Sequence, residues 1–178
     1  LYPSYLFIII VALIAVLVYA TISWREFYFK ETEEGLESRA RLLLNQMRRP
    51  VQKDQVEQID RLCKKLGQKS NTRITVVGPG GEVFGDTNEV PDQMENHSDR
   101  PEIKTAYNGQ TGASRRFSAT LEKEMMYVAV PLYSGEKLLG VVRVSMPLTR
   151  LQKALGGVRF KLLIGGVIAA ILAAVICY

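Results

Sequence analysis

The sequence predicts an α+β domain, one antiparallel sheet backed by helices, held between two membrane-spanning segments. Three observations carry that expectation. Both ends of the chain are apolar and uncharged; all 23 Lys and Arg and all 18 Asp and Glu lie between Arg25 and Lys161; and inside that interval a helical period gives way after Asn71 to a period of two.

The first apolar segment, residues 1–24, contains "LFIIIVALIAVLVYATI" and reaches about 36 Å as a helix, enough for a hydrocarbon core of about 30 Å. A signal peptide is not indicated, because no basic stretch precedes the segment and no small-residue cleavage site precedes Trp24. Residues 162–178, "LLIGGVIAAILAAVICY", reach about 26 Å and form the second expected span. Two spans return the chain to the side where it began, which places the charged domain outside the cytoplasm. The net charge of +5 is interspersed in pairs such as Arg48-Arg49 and Arg115-Arg116. That pattern lacks the basic stripe with stacking aromatics that nucleic acid requires and reads first as charge pairs on solvated faces, with anionic membrane lipid headgroups or cell-surface polymers as the alternative partners. Cys63 and Cys177 lie in different environments and form neither a disulfide nor a zinc site.

No Gly or Pro stands between Ser4 and Gly35, so the first span is expected to continue out of the membrane as one helix. Leu36 and Leu43, like Ala40 and Met47, are seven apart and mark a face that packs either on the domain's own sheet or on a second copy. Pro50 is expected to interrupt this helix. Val56, Ile59, Cys63 and Leu66 then share one face of a second helix ending near Gly67, with Cys63 as a core residue.

Residues 73–77 ("RITVV"), the turn "GPGG" and residues 82–86 ("EVFGD") read as a hairpin. "GPGG" is a turn and not a phosphate loop, since no Lys-Ser/Thr follows it. Residues 112–119, 125–132 and 137–146 supply three more strands, the last two joined by "YSGE". Between the second and third strands, Asp99 is expected to cap a helix from Arg100 to Asn108, with Glu102 at its third position as in a capping box and Gly109 as the stop.

The segment from Glu82 to Glu102 holds seven acids and one base, and also the only histidine, His97. Asp86, Asp92, Glu95 and Asp99 are the candidate ligands of a divalent cation. The preferred reading is a solvated acidic loop in which His97 bonds to the backbone. A phosphorylated histidine is excluded, because it needs a cytoplasmic helix and a nucleotide-binding domain. A small anion would meet Arg73, Arg100, Tyr107 or Tyr127. A third expectation is a module without ligand that dimerises or binds an envelope protein. No nucleophile, base and orienting group converge, so catalysis is not expected here.

"RITVVGPGGEVFGDT" with "MENHSDRPEI", followed by "MYVAVPL" and "LLGVVRVSMPL", resembles the extracytoplasmic sensor region of PhoR-type (phosphate-regulon) sensor histidine kinases. The resemblance covers most of residues 72–148. It implies a PAS-like (PDC/Cache) sensor, followed beyond the second span by a HAMP linker, a dimerisation and phosphoacceptor domain and an ATP-binding domain. In such a parent, ATP and Mg serve the kinase, a cytoplasmic response regulator receives the phosphoryl group, and the sensor itself carries no cofactor. The expected layout is a first span (1–24), helices (25–71), the sensor sheet (72–147), a juxtamembrane helix (148–161) and a second span (162–178).

Leu148, Leu151, Leu155, Val158 and Leu162 are spaced 3, 4, 3 and 4, a seam for pairing helices in a homodimer, and Gly165 and Ala169 begin a small-residue ridge suited to close helix contact. Such a seam would pass a change in the sensor to the membrane. Inserting one residue between Leu151 and Leu155 should rotate the seam by about 100° and scramble signalling in the full-length parent. Unchanged output in a reporter assay would remove the seam from the signalling path.

Overall fold

The computed structural model describes residues 2–118 and 122–148, with 164–166, 168 and 175 beyond them. The chain forms two compact units, Leu1–Glu31 with Thr149–Tyr178, and Thr32–Leu148.

Helix α1 runs over Tyr2–Gln52. Its apolar part has a window of mean hydropathy 1.7 with none of its residues buried inside the chain, and it is the one helix among the described residues long and apolar enough to cross a membrane. The seam and ridge positions Leu151, Leu155, Val158, Leu162 and Ala169, with most of the second expected span, lie outside the described residues. A Cβ added at Gly165 would meet nothing within 4 Å.

Pro50 does not interrupt α1. It falls in the last turn, where its missing N–H costs one ladder bond, and the helix stops two residues later. Asp54, with φ of 54°, reverses the chain instead. Along α1, Leu36, Ala40, Met47 and Val51 are buried within this single chain, Leu43 is half-buried and Leu42 is exposed. The side chains of Leu36 and Met47 are therefore taken up by the domain's own interior.

Helix α2 spans Val56–Ser70 and buries Ile59, Cys63 and Gly67, one residue per turn. It does not end at Gly67. That glycine is a close-approach position, where a Cβ would come within 2.1 Å of the Thr87 side chain. The stop is Asn71, in the left-handed region at φ 51°, whose N–H returns to the Gly67 carbonyl. Burial pushes the Cys63 thiol well above its ordinary range, which makes it a core residue and not a nucleophile.

Five strands, β1 (Arg73–Val77), β2 (Val83–Asp86), β3 (Gly112–Ser118), β4 (Lys123–Ser134) and β5 (Lys137–Pro147), form one antiparallel sheet in the order β2-β1-β5-β4-β3. β1 pairs with the last strand through Thr75↔Arg143 and Val77↔Val141, so the two ends of the sheet sequence meet at its centre. Alternation then sorts the side chains. Ile74, Val76, Val128, Val130, Val142 and Val144 fall on one face and are almost fully buried. Each such side chain contributes about 1.5–3 kcal/mol. Helix α2 packs on β1 and β2.

The opposite face carries Arg73, Thr75, Arg143, Ser145 and Tyr127. At one end it is covered by the third helix, α3 (Pro101–Tyr107), whose Ile103 and Ala106 form a cluster with Val77, Ala129 and Val141. A polar strip is left beside this cluster.

Two glycines test the packing in opposite senses. A Cβ on Gly85 would lie 2.9 Å from the Asp60 backbone, whereas one on Gly35 would meet nothing within 4 Å. Gly85→Ala should cost about 1–3 kcal/mol by overpacking. Gly35→Ala should add about 0.5–1 kcal/mol through helix propensity. Urea unfolding of the full chain in detergent would show the two midpoints moving apart, and equal midpoints would refute this packing of α2 on β2.

Candidate ligand pocket

The polar strip begins with a buried ion pair. Asp86, at the end of β2 and fully buried, accepts two bonds of 3.0 Å from Arg73 Nε and one of 2.7 Å from Thr75 Oγ1. Its Oδ1 also accepts the N–H groups of Asn88 (2.9 Å) and Glu89 (3.1 Å), so all its capacity is spent inside the domain. Thr75 in turn accepts from Arg143 Nη2 at 3.1 Å.

A second carboxylate continues the chain of contacts. Glu102, in the first turn of α3, is fully buried; it accepts from Ser114 Oγ at 2.6 Å, Arg116 Nη2 at 2.9 Å and Arg143 Nη1 at 3.3 Å. Burial alone would raise its pKa. The Ser114 hydrogen bond and the charges of Arg143 and Arg116 outweigh that and hold it below the ordinary carboxylate range. Arg143, only 3% exposed, is lowered to about 10, chiefly by burial. It keeps its charge at neutral pH.

Above this floor lies a cavity of about 420 Å³. Arg73, Arg116 and Arg143 line it from β1, β3 and β5, and Tyr127 lines it from β4. The Tyr127 ring stacks under both Arg116, 4.1 Å from its centroid, and Arg143, at 5.1 Å. The loop before α3 supplies the other wall through Gln93, Met94, Glu95, His97 and Arg100. Four guanidinium groups thus meet one polar cavity. Asp86 pairs with Arg73, Glu102 is shared by Arg116 and Arg143, and Glu95 lies 3.7 Å from Arg100; Glu89 also lines the cavity, so carboxylates match the guanidinium groups in number. Arg143 Nε, Arg116 Nε and His97 Nδ1 are buried without a hydrogen-bond partner.

The loop is fastened by the "GPGG" turn. His97 N donates to Gly81 O at 2.8 Å and Asn96 Nδ2 to Gly80 O at 2.8 Å. Gly81 has φ of 89°, and a Cβ there would lie 2.2 Å from Asn96 Oδ1, so only glycine fits. The turn is therefore a docking point for the loop.

Of the four residues expected to meet an anion, Arg73, Arg100 and Tyr127 come together at the cavity. Tyr107 does not: its hydroxyl donates to the Gly78 carbonyl at 2.5 Å, which anchors α3 to the same turn. Arg116, Arg143 and His97 were not expected there. In the sequence each arginine is a lone charge on its strand face: Arg143 alternates with Val141 and Ser145, and Arg116 with Ser114 and Ser118.

The proposed cation ligands are not gathered. Asp86 is committed to Arg73 and Thr75, while the Glu95 and Asp99 side chains are 88% and 93% exposed, next to Arg100 and Lys104. Among the described residues no three His, Cys, Asp or Glu side chains converge as a metal site would require. The capping expectation is corrected too. Arg100 occupies the N-cap without a side-chain bond, Asp99 pairs with Lys104 at 3.1 Å, and Glu102 turns inward to the arginines. An inward bond to two guanidinium groups outweighs a capping bond worth about 1 kcal/mol. His97, expected in a solvated loop, is 7% exposed.

The helix-flanked sheet with a pocket under its loop matches solved sensor domains. The DctB histidine kinase sensor domain of V. cholerae superposes with a TM-score of 0.65 at 17% identity, over 79% of this chain and 59% of that one. The E. coli DcuS sensor domain gives 0.55 at 16%, over 71% and 98%. The ligand-binding domain of the Campylobacter jejuni chemoreceptor Tlp3, in complex with L-norvaline, gives 0.60 at 15%, over 86% and 62%. This is the PDC/Cache sensor fold. The chain spans about three fifths of the DctB and Tlp3 domains. No protein-family model and no curated protein sequence matches it. The likeness establishes the PDC/Cache architecture, and the pocket chemistry comes from this chain's own residues.

Burial, then the charges of Arg143 and Arg100, lowers the His97 pKa to about 4. An unfolded histidine titrates near 6.5, so below that pH the unfolded chain takes up a proton the folded chain refuses. Stability should fall as pH drops from about 6.5 towards about 4. Thermal unfolding followed over that range should show a shallower decline in His97→Gln. Parallel curves for the two chains would place His97 in a wetter setting.

Proposed function

We propose that residues 32–148 are the ligand-binding part of a membrane sensor and that the ligand is a small anion. The observation that carries this reading is the convergence of Arg73, Arg100, Arg116 and Arg143 on one cavity, with buried N–H donors on two of them left without a partner. A buried donor without an acceptor costs about 1–3 kcal/mol, which a bound carboxylate or phosphate oxygen would recover. Solved domains of this fold support it by analogy. Ligand-binding domains of this fold have been solved with amino acids, each of which bears a carboxylate: the chemoreceptor CtaA of Pseudomonas fluorescens with L-alanine, Mlp24 with asparagine, and the chemoreceptor PctC of Pseudomonas aeruginosa with GABA. Those ligands belong to those proteins.

For the whole protein we propose a PhoR-type two-component sensor histidine kinase. The motifs "MENHSDRPEI" and "LLGVVRVSMPL" and the order of apolar segment, sensor and apolar segment support it. In this reading the sensor lies outside the cytoplasm of a two-pass homodimer in the cell membrane. The segment after Leu148 passes the signal to a kinase domain that uses ATP and Mg and phosphorylates a response regulator. The fragment binds and does not catalyse.

The test is a melting-temperature series on the full chain in detergent micelles with inorganic phosphate, succinate and L-alanine. A probe at 100 times its Kd should stabilise by about 2.7 kcal/mol. Arg100→Ala, at the rim and outside the buried network, should weaken the response about tenfold or more, since a charge-assisted bond contributes about 1.5–3 kcal/mol. A chain indifferent to every anion, or a response unmoved by Arg100→Ala, would refute the anion reading.

A further inference from the structure

The two guanidinium groups at the cavity floor are half engaged. On Arg116, Nη2 is spent on Glu102 Oε1 and Nε is buried without a partner; on Arg143, Nη1 goes to the same oxygen, Nη2 goes to Thr75 Oγ1, and Nε is again without a partner. A carboxylate or phosphate binds arginine most strongly through the paired fork of Nε and an adjacent Nη. On Arg116 that fork includes Nη2, the nitrogen that Glu102 already holds.

We infer that Glu102 is an internal counter-anion which an incoming anionic ligand displaces from Arg116 and Arg143, so that occupancy of the pocket releases the first turn of α3. This rests on the anion reading given above and adds a competitor to it. The geometry favours exchange over simple addition. Glu102 is the one carboxylate bonded to either guanidinium among the described contacts, and a single oxygen serves both. With an anion on the floor, Glu102 would be a second buried carboxylate beside a like charge, and repulsion would favour its departure. Its other ties are the Ser114 hydroxyl, at 2.6 Å, and its own backbone N–H.

The consequence reaches the loop before α3 and the strand β5. Pro101 and Glu102 follow directly on the loop that walls the cavity, from Gln93 to Arg100. Ligand entry and helix release would act on one continuous segment. Arg143, the other party, lies on β5, whose end at Leu148 is fixed by the bond from Leu148 N to Glu124 O at 2.8 Å. Exchange at the floor thus touches the strand from which the chain leaves the sensor.

Calorimetric titration of the full chain in detergent with phosphate, succinate and L-alanine tests this. Glu102→Gln keeps the shape and removes the competing charge, so the probe that binds the native chain should bind tighter, on the order of tenfold. Ser114→Ala, which loosens Glu102 without touching the cavity lining, should shift affinity the same way by a smaller factor, and serves if Glu102→Gln fails to fold. Amide exchange over residues 101–107 should quicken when the probe is added to the native chain, and be quick without it in Glu102→Gln. Unchanged or weaker binding in the variants would make Glu102 a residue that only positions the arginines, overturning displacement while leaving the anion reading intact. A native chain that binds none of the probes, with variants equally silent, would remove both.

Discussion

The domain of residues 32–148 depends on one buried electrostatic arrangement, Glu102 held against Arg116 and Arg143 between α3 and the sheet. A guanidinium group only 3% exposed at the centre of a five-stranded sheet is costly to desolvate. It is tolerated because Glu102 and Thr75 meet it, and because Tyr127 offers its π-face. Loss of Glu102 would leave an uncompensated charge in the interior. The apolar contacts of Ile103 and Ala106 and the tether from Tyr107 to Gly78 then fix α3 over that site. The fold supplies a rigid frame, and the site is the place where the frame departs from an apolar core.

Much of the frame was legible in the sequence. "RITVV" is β1 to the residue, and the other four strands extend at most two residues beyond, or stop one residue short of, their expected bounds. Period-two alternation with Gly-rich turns is a local signal, and the sheet follows it. The order of strands was less legible, because the pairing of β1 with β5 joins segments some 70 residues apart and no local residue encodes it. Pro50 and Gly67 misled for a related reason. Each has a strong local meaning, yet a proline in the last turn costs little, and Gly67 is small because Thr87 lies against it.

The site was legible in part. Arg73, Arg100 and Tyr127 were identified by residue type and placement, and all three reach the cavity. Arg116 and Arg143 were missed because "SRRFS" and "VVRVS" read as solvated or edge charge when the partner is unknown. Glu102 was misread in the opposite direction: its spacing from Asp99 satisfies a capping box, but the inward side of α3 offered it two cations. In both cases the deciding neighbour lies on another element, out of reach of a window along the chain.

Arg100 and Arg143 stand at opposite depths of the same cavity, and depth changes what a charge does. Arg100 is at the rim, about a third exposed on its side chain, where salt screens it over about 8–10 Å. In the anion reading, a charge there governs how often an anion is captured, and its influence fades as ionic strength rises. Arg143 is sealed from water and barely screened, so it governs how long a captured anion stays. Capture and retention of an anion would therefore be separable quantities. They are written on two different elements, the loop before α3 and the central strand β5.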